Sequence, residues 1–87
     1  MATVFIPPQL RDLTDGASQV ETEGRNVGQL IDRLESQFSG IRARLCRDGQ
    51  LSPSLQVSVD NVMSSRGLFT KVQPDSEVHF LPAIGGG

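Results

Sequence analysis

The sequence is short of most of the side chains from which active sites are built. It has one cysteine, Cys46, one histidine, His79, and one lysine, Lys71, with no tryptophan and no tyrosine. A lone cysteine excludes an intrachain disulfide and a cysteine-based metal cage, and it fits a reducing compartment. A lone histidine leaves little from which to assemble a nucleophile with its base. Four phenylalanines are the only aromatic residues, too few for a platform that stacks single-stranded nucleic acid. The formal net charge of −2 gives no general pull toward nucleic acid or a membrane surface. No stretch approaches the roughly 18 apolar residues of a membrane span, and Met1 to Pro8 lacks the basic start and apolar run of a secretory signal. The expected location is the cytoplasm, with no nucleic-acid or membrane partner.

What is present suits one small globular domain. The chain has 87 residues, 37% of them hydrophobic and 21% charged, enough for a single aliphatic core. Thr3 to Ile6 is a β-rich run stopped by Pro7-Pro8, which removes ladder donors. Residues 7–16 read as a loop, with Thr14-Asp15-Gly16 as its turn, and residues 17–23 alternate as a second, half-buried strand. The two pair as an antiparallel hairpin.

Asn26 followed by Gln29 has the form of a capping box, and Val27, Leu30, Ile31, Leu34 and Phe38 fall on one helical stripe. The spacing predicts a helix from about 27 to 38, a left-handed stop at Ser39-Gly40, and one further turn through Ile41 and Leu45 before Asp48-Gly49 breaks it. Phe38 and Leu45 are expected to close one end of the core. Residues 50–53 read as loop. Leu55, Val57 and Val59 alternate with Gln56 and Ser58 as a third strand, Asp60-Asn61 turns, and Val62-Met63 is at most a short edge strand. Leu68, Phe69 and Val72 look like apolar plugs in an irregular crossing. Glu77 to Leu81 is the last main strand, with Val78 and Phe80 pointing one way and His79 and Leu81 the other.

The order strand, strand, helix, strand, short strand, strand implies an α+β domain with one main helix packed on a face of a mixed sheet. Placing the first strand parallel to the last puts the C-terminal strand in the sheet interior, the β-grasp (ubiquitin-like) arrangement. The domain is expected over residues 1–82, with 83–87 a flexible glycine tail. Phe5, Leu81 and Ile84 then have the parity or position to lie on the open sheet face as a partner-binding patch. His79 reads as an imidazole on the less buried face of its strand, Cys46 as a small buried hydrophobe at a helix end, and Arg33, Arg42, Arg44 and Arg47 as a solvated helix face or an acidic-partner patch.

The end of the chain, Val78-His79-Phe80-Leu81-Pro82-Ala83-Ile84-Gly85-Gly86-Gly87, is its most specific feature. Glycine has no Cβ and suits passage of a terminal carboxylate through a narrow channel, and Pro82 stiffens the exit so that less must be ordered on binding. With the β-grasp order and the capped helix, this tail resembles the ubiquitin-like sulfur carriers of the ThiS and MoaD family. Ser39-Gly40-Ile41, Arg44-Leu45 and Asp48-Gly49-Gln50-Leu51 look most like its CysO-type branch. Two departures stand out: Asp60-Asn61 follows the third strand where the branch usually has Asn, and Pro74-Asp75 replaces a Gly-Asp turn. Both keep turn chemistry.

The resemblance implies a protein cosubstrate without catalytic residues or a bound cofactor. An E1-like enzyme would use ATP to adenylate the Gly87 carboxylate and convert it to a thiocarboxylate, with Gly86, Gly85, Ile84 and Pro82 recognised as the tail. In the CysO-type pathway the acceptor would be a pyridoxal-phosphate-dependent cysteine synthase, and a metalloprotease would release the product. Other readings within reach are a molybdopterin synthase small subunit, a thiazole-type carrier, a ubiquitin-like modifier joined to lysines through Gly87, and an interaction module whose glycine end is merely frayed.

Overall fold

The computed structural model describes residues 1–83. Strands β1 (Ala2–Phe5), β2 (Gln19–Thr22), β5 (Leu55–Val59), β6 (Val62–Ser64) and β7 (Glu77–Pro82) form a five-stranded sheet in the order β2-β1-β7-β5-β6. A second, two-stranded sheet pairs β3 (Cys46–Arg47) with β4 (Gln50–Leu51). Helices α1 (Val27–Gln37) and α2 (Ile41–Leu45) and two 3-10 helices, Pro8–Thr14 and Gly67–Phe69, complete the domain. The β-grasp expectation is met: β1 runs parallel to β7 (Val4↔Val78) and antiparallel to β2 (Val4↔Val20), so the last strand lies in the middle.

Helix α1 starts where the capping pattern places it. The Asn26 side chain accepts from the Gln29 N–H at 2.8 Å, and the Gln29 carboxamide accepts in return from the Arg25 N–H at 2.8 Å. Its Val27, Leu30, Ile31 and Leu34 are fully buried against Val4, Val57, Val78 and Phe80 of the sheet. Each such side chain stabilises the fold by about 1.5–3 kcal/mol. Helix α1 ends at Gln37 with Phe38 as an extended cap whose N–H donates to the Leu34 carbonyl, so the expected glycine stop is displaced: Gly40, left-handed at φ 97°, caps the start of α2, which buries Ile41 and Leu45. Phe38 packs half-buried on the same core.

Three local readings of the sequence are corrected. Residues 7–16 are not an open loop: Pro8 opens a 3-10 helix whose Leu10 and Thr14 are buried, proline being tolerated there because its missing N–H would have had no partner. Residues 50–51 are strand, because Asp48 and Gly49 both take positive φ (54° and 76°) and fold a two-residue hairpin rather than only ending a helix. Phe69 is not a plug. It is 80% exposed, whereas Val72 is buried and Leu68 packs against the core.

Two carboxylates hold the joints between elements. Glu35 accepts from the Arg42 N–H (2.9 Å) and the Gly40 N–H (3.1 Å), and Asp60 accepts from the Glu77 N–H (2.9 Å) and the Ser76 hydroxyl (2.8 Å). These bonds hold both carboxyls below their ordinary range, the Arg42 N–H contributing most for Glu35 and the Glu77 N–H for Asp60. A carboxyl whose folded pKa lies below its unfolded value adds stability that is fully present above the unfolded value, near pH 4, and lost as pH falls through the folded one. We expect the urea midpoint of Asp60→Asn to lie below that of the wild type at pH 7 and the difference to shrink below about pH 4. A constant offset down to pH 3 would contradict this account of the joint.

Candidate functional site

Strand β7 is gripped from both sides at its start and from one side at its end. Pairing with β1 covers Glu77 to His79, whereas pairing with β5 continues from Val59↔Val78 to Leu55↔Pro82. One step further the Ala83 N–H donates to the Ser54 carbonyl at 2.9 Å. The Ala83 to Ser54 bond makes Leu55 and Pro82 a non-hydrogen-bonded pair, and pairing with β1 has stopped at His79, so the N–H that Pro82 lacks would have had no strand partner. Pro82 is exposed, as an exit should be. The assignments to Ile84, Gly85, Gly86 and Gly87 fall outside the described residues.

The sheet face turned away from α1 is organised by cross-strand register. Phe5 pairs with Gln19 on one side and His79 on the other, His79 with Ser58, and Ser58 with Met63, so these five residues form one row. The Phe5 and His79 rings stack face to face, centroids 4.1 Å apart and planes within 7°. Leu81 and Gln56 form the next row toward Pro82. Leu81 is 39% and Met63 49% exposed, while Phe5 is half-buried. Of the three residues expected on this face, Phe5 and Leu81 are on it, two strand positions apart in register, and Ile84 lies outside the described residues. His79 and Met63 join them, His79 with the parity read from the sequence and Met63 as an addition that the short edge strand had concealed.

Away from this face, chemistry is sparse. Cys46 is half-buried, and burial pushes its thiol pKa up, with Arg42 offsetting part of the rise, so it stays protonated at neutral pH. Arg42 pairs with Asp32 on the exposed helical surface. Among the described residues no three His, Cys, Asp or Glu side chains gather to hold a metal ion, and no helix is long and apolar enough to cross a membrane. An open groove of about 950 Å3 lies between α1, the Gly67–Phe69 helix and β5, with Leu51, Leu55, Met63, Leu68 and Phe69 among its walls.

The architecture and the exposed strand exit define a ubiquitin-like β-grasp domain that presents the end of its central strand. The chain matches the ThiS family over residues 4–87 and belongs to it. It is 37% identical over 90 residues to the sulfur carrier protein CysO of Mycobacterium tuberculosis, covering 98% of this chain and 97% of that protein. A chain in the crystal structure of the Amycolatopsis orientalis BexX/CysO complex is 37% identical and superimposes with a TM-score of 0.90, covering 100% of both chains. The small archaeal modifier protein 1 of Methanosarcina acetivorans has the same fold, with a TM-score of 0.79 at 19% identity over 99% of this chain and 95% of that one.

Proposed function

We propose that the protein is a sulfur carrier in biosynthesis, most specifically of cysteine, and that it acts as a cosubstrate of other enzymes. The observation that carries this reading is the family match extending through the tail to residue 87, together with near full-length similarity to sulfur carrier proteins. The chemistry expected of the tail is simple. A carboxylate oxygen of Gly87 attacks the α-phosphorus of ATP on an E1-like enzyme and pyrophosphate leaves. Hydrosulfide then attacks the acyl carbon, AMP leaves with the C–O bond electrons, the S–H proton is lost, and a thiocarboxylate remains. The acceptor in this reading is a pyridoxal-phosphate-dependent cysteine synthase, followed by a metalloprotease. The catalytic groups all belong to these partners, ATP is the activating enzyme's, and the setting is the cytoplasm.

Residues 1–82 serve as the body and 83–87 as the handle. Gly85 and Gly86 give slender access, Ile84 and Pro82 define the approach, and the face carrying Phe5 and Leu81 meets the partner. Mass spectrometry of the protein co-expressed with its activating enzyme should find one C-terminal oxygen replaced by sulfur. An unmodified C-terminus under conditions where the enzyme is active on ATP would overturn the reading.

A further inference from the structure

Beside the row holding Phe5 and His79, on the side away from the tail, lies a row of different character. Glu21 pairs with Thr3 and Thr3 with Glu77, which puts two exposed carboxylates on the same open face, flanking β1. Strand spacing separates their backbones by about 10 Å and sets the row about 7 Å from the aromatic pair. Among the described residues neither carboxylate has a hydrogen-bond or ion-pair partner within the chain, since the one ion pair is Arg42 with Asp32.

The cations are placed elsewhere. Strands β1, β2, β5, β6 and β7 contain no arginine or lysine: Arg11 lies on the first 3-10 helix, Arg33, Arg42 and Arg44 on the helices, Arg47 on β3, and Arg25, Arg66 and Lys71 in connecting segments. The strand side chains of the open face thus carry formal charge of one sign, confined to one end, where the Met1 ammonium stands one residue before β1, with an apolar centre and with the strand exit at the other end.

We propose that Glu21 and Glu77 orient the activating enzyme on this face by meeting cationic side chains of that enzyme, so that its catalytic centre faces the tail. The inference rests on the sulfur-carrier reading and adds the chemistry of the partner surface: apolar opposite Phe5, His79 and Leu81, and basic opposite the row about 17 Å from Pro82. Exposed charges of this kind add little to affinity. They act on the association rate and on docking register, and salt screens them over about 8 Å at physiological ionic strength. The contacts belong to docking and not to chemistry, so turnover of the bound complex is unaffected.

The test uses the full chain and the adenylating enzyme of the same host, read by pyrophosphate release and stopped-flow association. Glu21→Gln with Glu77→Gln should slow association by about 5- to 10-fold at 50 mM salt and raise KM with kcat unchanged, the deficit vanishing near 1 M salt. Glu77→Asp should retain the wild-type salt dependence, and Asp12→Asn, an exposed acid on the 3-10 helix, should be neutral. Wild-type salt dependence in the double Gln variant, with the wild-type chain activated normally, overturns the orientation role alone. Absence of wild-type activation overturns the sulfur-carrier reading and this inference with it. A fall in kcat at saturating protein would place these carboxylates in the chemistry and would also overturn the proposal.

Discussion

Deleting Gly86 and Gly87 should reduce ATP-dependent activation by at least about 100-fold while leaving the urea midpoint of the domain unchanged. The two halves of this expectation have separate causes. The core cluster of the described residues runs from Ala2 to Phe80, and the Leu55–Pro82 pairing with the following Ala83 to Ser54 hydrogen bond continues the sheet beyond it, so the midpoint is expected to be set by the body. A shortened chain still ends in a carboxylate, on Gly85, but that carboxylate stops about 7 Å short of where Gly87 would deliver it. Displacements of about 1 Å in a reacting group already cost about two orders of magnitude. Pyrophosphate release by the enzyme with each chain, beside urea melts of both, separates the effects. Wild-type activation of the truncated chain would remove Gly87 from the mechanism.

Phe80→Ala should be the most damaging change within the body, and Leu81→Ala, one residue along, nearly silent for stability. Phe80 is 5% exposed and packs in the core with Val57 and Val78, on the central strand. Truncating a buried phenylalanine costs about 3–5 kcal/mol, against a total of about 5–15 kcal/mol for a domain and the lower part of that range for one so small. The variant should be largely unfolded at 37 °C or have lost most of its urea midpoint. Leu81 alternates to the open face, and its truncation should stay within about 0.5 kcal/mol. The same substitution should weaken activation if, as proposed above, the open face carrying Leu81 meets the partner. Equal loss of stability in the two variants would mean that the alternation of β7 had been misread.

That alternation is a property of sequence, and it explains why so much of the fold is legible there. Period-two patterns fix β5 and β7, the Asn26 and Gln29 pair fixes the start of α1, and Gly40 marks the turn from which α2 starts. The order of elements then leaves the parallel pairing of β1 with β7 as the arrangement that buries Val4 and Val78 together. What sequence conceals is the consequence of pairing. Phe5 and His79 are far apart in the chain, and their stacking follows only when the register of two parallel strands is known. The same holds for Glu21 and Glu77, which become neighbours across Thr3.

Other differences had signals that point the right way. Asp48-Gly49 is a strong two-residue hairpin sequence, and its position just after a helical pattern disguises it as a stop. Pro8 with Leu10 and Thr14 has the composition of a short helical segment, but seven residues are too few for periodicity to outweigh two prolines. Phe69 offers no such signal. Its exposure depends on how the Gly67–Phe69 turn sits over the groove beside Leu51 and Leu68, which is a matter of tertiary packing.

The position of β7 between β1 and β5 has a consequence for when the tail becomes usable. A ribosome delivers β1 first and β7 last, so until the final strand has emerged β1 and β5 have no common neighbour and the sheet is in two pieces. Insertion of β7 joins the pieces and holds Pro82 at the surface in the same event. Closing the sheet and positioning the exit at Pro82 are therefore one event, so a chain that has not inserted β7 has neither a joined sheet nor a strand end to present.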